Sequence, residues 1–101
     1  MGWASRYIQQ LHQGEVVTFR PRGSSMTPIV RDGQEVTCAP ATVDSVKVGD
    51  VVLCRVGRSE YLHLVRAMRD GRAQIANARG HVNGWTSHVF GVVTKIGEPA
   101  R

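Results

Sequence analysis

Beyond Gly14 the chain is cut by turn-forming residues into short apolar segments, and this punctuation limits the fold more than any other feature. Asp32-Gly33, Gly57-Arg58-Ser59 and Asp70-Gly71 are turn signals, because glycine and short polar side chains reach backbone conformations closed to most residues. Between them lie Glu15–Arg20, Gln34–Ala39, Asp50–Val56, Glu60–Met68 and Arg72–Ala76, followed later by His88–Ile96. Glu15–Arg20 is rich in β-branched and aromatic residues, Gln34–Ala39 alternates in polarity like a half-buried strand, and Asp50–Val56 is nearly continuous in apolar residues. Pro21 holds its predecessor extended and ends the first of them. Ala39 to Asp50 reads as a connection, and Asn77 to Ser87, dotted with Asn and Gly, reads as a loop. The pattern predicts a mainly β domain of about six strands, a small open or half-closed antiparallel β barrel.

Residues 3–13 have a different period. Trp3, Tyr7, Ile8 and Leu11 recur at three- and four-residue intervals, the single apolar stripe of a short helix, and Gly14 is a suitable stop. The expected organisation is therefore an N-terminal helix over 1–14 packed on the domain, a β domain over 15–96 and a tail over 97–101. A length of 101 residues suits one domain with one modest core. With aromatic residues at only 6% of the chain, that core must be built from Val, Leu, Ile and Ala.

No apolar run is long enough to cross a bilayer, so no transmembrane segment is expected. Met1-Gly2-Trp3-Ala4-Ser5-Arg6 has neither the apolar stretch of a secretory signal nor a myristoylation pattern. The expected setting is the cytoplasm. Cys38 and Cys54 fit it as two small buried hydrophobes, too few for a disulfide framework. The His and Cys residues show no metal-ligand spacing, and neither metal nor cofactor is expected. The net charge of +5 favours acidic partners. Its basic residues are scattered, however, with Arg20 and Arg22 the densest group, as on a solvated surface.

The segment that carries chemistry is Gly23-Ser24-Ser25-Met26-Thr27-Pro28. Small residues lead into Ser-Met, and Pro28 redirects the chain, a setting that holds a serine at a tight bend. A serine is a poor nucleophile near neutral pH unless a base lies within hydrogen-bond reach. Alone, the segment equally describes a polar turn between strands.

Residues further along the chain narrow the reading. Asp32-Gly33 comes next, then Val48-Gly49-Asp50-Val51-Val52-Leu53, then Tyr61-Leu62-His63-Leu64-Val65. This order resembles the signal-peptidase/LexA superfamily of serine proteases, over about residues 16–96. The resemblance implies peptide-bond hydrolysis with Ser25 as nucleophile. His63 falls on the position of the general base, where many relatives carry lysine and the endoplasmic-reticulum and archaeal signal peptidases carry histidine. A lysine must be buried to lose its proton near neutral pH, whereas histidine has an ordinary pKa of about 6.5. In an alternating strand His63 shares a face with Tyr61 and Val65, while Leu62 and Leu64 point the other way.

The same resemblance assigns supporting roles. The Ser25 amide is the first oxyanion donor. The hydroxyl that some relatives place two residues earlier is replaced by Gly23, so Ser24 or another amide must serve. Met26 belongs to the motif. Relatives with histidine often carry an aspartate after the base strand. Here residues 77–85 contain no acid, and Asn77, Asn83 or His81 is left to orient His63, unless nothing does. Tyr61, Arg22 and Pro28 are candidates to line the substrate cleft. Trp85 caps the core or lines a groove. The membrane helices of signal peptidases and the DNA-binding half of the repressors find no counterpart. The expected partner is a peptide or protein substrate. The alternative is a non-catalytic β-barrel module binding nucleic acid or protein, with Arg20, Arg22, Arg79 and Trp85 as a basic, stacking surface.

Overall fold

The computed structural model describes residues 2–97. One helix, α1 (Ser5–His12), precedes seven strands: β1 (Val17–Phe19), β2 (Val36–Pro40), β3 (Val51–Val56), β4 (Ser59–Arg69), β5 (Arg72–Ala76), β6 (Val82–Thr86) and β7 (His88–Ile96). All seven form one antiparallel sheet in the order β1-β2-β7-β3-β4-β5-β6. The architecture is mainly β, and the sheet is not closed, in agreement with the open or half-closed barrel read from the turn pattern.

Curvature comes from irregular pairing. Register shifts interrupt four of the strand pairings, β2–β7, β3–β7, β4–β5 and β5–β6. Each leaves an extra residue on one strand, which bends it and increases its twist. The β3–β6 half curls until the Thr86 hydroxyl donates to the Arg55 carbonyl, bringing β6 over β3.

Two clusters of buried residues fill the molecule. One joins Ala4, Ile8 and Leu11 of the N-terminal segment to Val17, Phe19, Val36, Leu53 and Leu62 and to Met26 and Val30 of the β1–β2 connection. The other packs Val43 and Val46 with Val52, Cys54, Val65, Ala73, Ile75 and Val89. The helix docks as its stripe predicts. Leu11 lies so close to Gly91 of β7 that a Cβ there would stand 2.9 Å from the leucine Cδ1.

The region after β5 departs from the expected loop. Residues 77–87 are not wholly irregular, because Val82–Thr86 forms β6. Asn83-Gly84 resembles a turn but is a bulge within an edge strand. Trp85 does not cap the core and is not among the residues lining the cleft. It is 39% exposed and sits opposite Gln74. Cys38 on β2 and Cys54 on β3 are separated by β7, and both are free, buried thiols whose pKa burial pushes up to about 12. At the tail, Gly97 is still tied to the sheet, its amide donating to Glu35 and its carbonyl accepting from Gln34. Residues 98–101 lie outside the described residues.

Candidate active site

Ser25 lies on the long connection between β1 and β2, and three bonds close its base. The Gly33 amide donates to the Pro21 carbonyl at 2.8 Å, Arg20 to the Gly33 carbonyl at 3.0 Å, and the Gly23 amide to Asp32 Oδ1 at 2.7 Å. The Asp32-Gly33 turn signal therefore holds both ends of the serine segment together. Gly23 has a φ of +103° with open space where a Cβ would stand. The glycine supplies a left-handed backbone here, not a close approach. Met26 and Val30 are buried and anchor the segment in the first core cluster. From the other side, the Ala78 amide donates to the Ser25 carbonyl at 3.0 Å.

His63 stands in the middle of β4, opposite Val52 of β3. Its Nε2 lies 3.1 Å from Ser25 Oγ, although 38 residues separate the two. Its Nδ1 lies 2.7 Å from Asn83 Oδ1. An amide oxygen can only accept, so Nδ1 carries the ring proton and Nε2 presents its lone pair to the serine hydroxyl. Ser25 is exposed, whereas His63 is only 7% exposed. Tyr61, two residues earlier on the same face, stacks on the imidazole with centroids 4.9 Å apart.

These surroundings lower the pKa of His63. Burial is the largest cause, the hydrogen bond to Asn83 opposes it, and the like charge of His81 adds to the lowering. The imidazole is thus neutral at neutral pH, the form a general base requires.

Asn83 reaches the ring because it is the extra residue of a β-bulge. Ile75 pairs with Gly84 and Ala76 with Val82, leaving Asn83 unpaired between them. Such bulges re-aim side chains, and the curl of β6 over β3 brings this one to His63. Asn77 makes no hydrogen bond to His63. Its side chain accepts from the Arg79 and His81 amides, both at 2.9 Å, and shapes the turn after β5. His81 is exposed and acts on His63 only through charge. Ser24 is exposed, and its carbonyl accepts from the Thr27 amide. The Ser25 amide has no acceptor among the described residues.

The hydroxyl and imidazole open into a cleft of about 400 Å³. Tyr61 and Arg22 line it, whereas Pro28 is exposed and is not among the lining residues. Trp3, Tyr7, Phe19 and Val30 also line it. Trp3 and Tyr7 belong to the helical stripe and Phe19 to the Glu15–Arg20 strand segment, patterns that gave no sign of an open wall, and Val30 carried no pattern at all. Among the described residues no three His, Cys, Asp or Glu side chains are placed to hold a metal ion, and no helix is long and apolar enough to cross a membrane. Comparisons with protein-family models, curated proteins and solved structures find no match to this chain.

Proposed function

We propose that the protein is a serine peptidase that cleaves peptide bonds through an acyl-enzyme on Ser25. The observation that carries the reading is the relay from Ser25 Oγ to His63 Nε2 at 3.1 Å and from His63 Nδ1 to Asn83 Oδ1 at 2.7 Å, opening on a cleft. Resemblance to the signal-peptidase/LexA superfamily, in the order of its motifs, supports the same roles. A cytoplasmic setting belongs to the proposal and is in keeping with two free thiols.

In the reaction Ser25 Oγ bonds to the substrate carbonyl carbon as its proton passes to His63 Nε2. Asn83 accepts from Nδ1–H throughout and keeps the ring in register. The Ser25 amide points its donor at the developing oxyanion. When the C–N bond breaks, the imidazolium returns the proton to the leaving amine. Water, deprotonated by the same imidazole, then attacks the ester, and the imidazolium returns that proton to Ser25 Oγ as the C–O bond breaks, releasing the acid and free Ser25.

The test is labelling with an alkyl fluorophosphonate followed by intact mass measurement. We expect one adduct on the wild-type chain, none on Ser25→Ala, and labelling of His63→Ala slowed by about 10²–10⁴-fold, the usual share of a general base. A wild-type chain that stays unmodified overturns the proposal. A salt-sensitive complex with DNA or RNA in its place, unchanged by Ser25→Ala, assigns the fold to a binding module.

A further inference from the structure

Ser25 and His63 are part of the cleft lining, and peptide-bond chemistry does not account for the rest of it. The lining includes three aromatic rings, Trp3 and Tyr7 from the N-terminal segment and Phe19 from β1. Tyr7 stacks on Phe19 with centroids 4.5 Å apart, and Trp3 tilts against Phe19 at 5.8 Å and against Tyr7 at 6.5 Å. Phe19 is buried, Tyr7 half-buried and Trp3 51% exposed. The group is thus a core cluster whose outer ring is left open to the cleft. An apolar surface rimmed by polar groups marks a binding position, and a cleft of about 400 Å³ has room well beyond a methyl side chain.

The charged lining is mostly basic, with Arg20, Arg22 and Arg31 against one acid. Glu60 is the acidic side chain of the lining, and it is nearly buried and held by Arg55 at 2.9 Å. Arg20 and Arg22 stand 3.5 and 3.7 Å from Glu35 and Asp32, with their side chains 55% and 85% exposed, so these open, weak pairs can exchange partners for an acidic group of the substrate. Arg31 is exposed and has no acidic partner among the described residues.

Taking the peptidase reading as given, we infer that the substrates are peptides carrying a bulky apolar side chain, preferably aromatic, close to an acidic residue. The apolar side chain seats against Trp3, Tyr7 and Phe19. The acidic group meets the Arg22–Arg31 rim. A small side chain leaves the aromatic wall wet, and a basic one faces the arginines unpaired. The N-terminal helix is thereby a specificity element and not only a brace.

The experiment reads binding apart from catalysis. Ser25→Ala protein is titrated with blocked hexapeptides that pair Phe or Ala with Asp or Lys at neighbouring positions, followed by Trp fluorescence and calorimetry. The Phe/Asp peptide is expected to bind at least tenfold more tightly than the Ala/Asp and Phe/Lys peptides. In the same background Tyr7→Ala removes the Phe preference and keeps the Asp preference, and Arg31→Glu does the reverse. Equal affinity across the series overturns the inference, as does a preference that neither substitution moves, or single-stranded DNA outcompeting every peptide. Fluorophosphonate labelling of wild-type protein is scored separately. A chain that is not labelled yet keeps the peptide preferences loses the peptidase reading alone, and one that is labelled without preferences loses this inference alone.

Discussion

Asn83 holds His63 through a neutral amide where a carboxylate could stand, and that choice sets the charge of the site. An amide oxygen fixes the tautomer and ring plane without adding a negative charge to stabilise the imidazolium. The base therefore keeps the lowered pKa that burial gives it. Two substitutions separate positioning from charge. Asn83→Ala removes the bond that favours the protonated ring, so the acid limb of the labelling rate moves to lower pH. The rate above that limb falls on the order of tenfold, less than loss of the base itself. Asn83→Asp places a negative charge beside Nδ1, so the limb moves to higher pH and the ring stays oriented. Fluorophosphonate labelling across pH 4.5–8.5 reads both shifts, and limbs that move together contradict the role given to Asn83. Ser25 and His63 are legible in the sequence because each sits in a short local pattern. Choosing Asn83 over Asn77 is not, because that depends on which of two nearby amides a bulge turns inward.

Two elements deliver the pair, by opposite means. β4 presents His63 through regular alternation, so the face shared with Tyr61 is readable from the sequence and the rings stack as neighbours two apart should. The β1–β2 connection has no repeating pattern and relies on specific bonds, chiefly the 2.7 Å contact from the Gly23 amide to Asp32. Asp32 is exposed, so Asp32→Ala leaves the core untouched. It frees the amide two residues before Ser25 and loosens the Arg22 contact. We expect labelling about tenfold slower, as displacement of a reacting group by a fraction of an ångström would bring. The acid limb stays where it is, because His63 keeps its surroundings. A rate equal to wild type would falsify the part given to Asp32. β6 is where element-level reading fails. Glycine beside asparagine signals a turn in isolated sequence, and only pairing with β5 on one side reveals an edge strand that tolerates a bulge.

At the scale of the whole molecule, β4 is shared between the two core clusters. Leu62 packs into the one beneath the helix and Val65 into the one inside the curl. His63 lies between these residues, so protonating it puts a charge into the middle of the sheet, where both clusters meet. The folded state resists that proton and holds the pKa below the ordinary value of 6.5, while the unfolded chain accepts it near 6.5. Between the folded and unfolded values the unfolded chain thus binds more protons, and unfolding free energy rises with pH. The contribution of the neutral imidazole is complete above 6.5 and is lost as pH falls from there toward the folded value. Urea midpoints at pH 7.5, 6.5 and 5.5 should fall for the wild-type chain. For His63→Gln they should fall less, whatever the variant's absolute stability, because glutamine has no proton to gain. Parallel declines in the two proteins would show that His63 takes up its proton equally in the folded and unfolded states, and would contradict the lowered pKa of the buried imidazole.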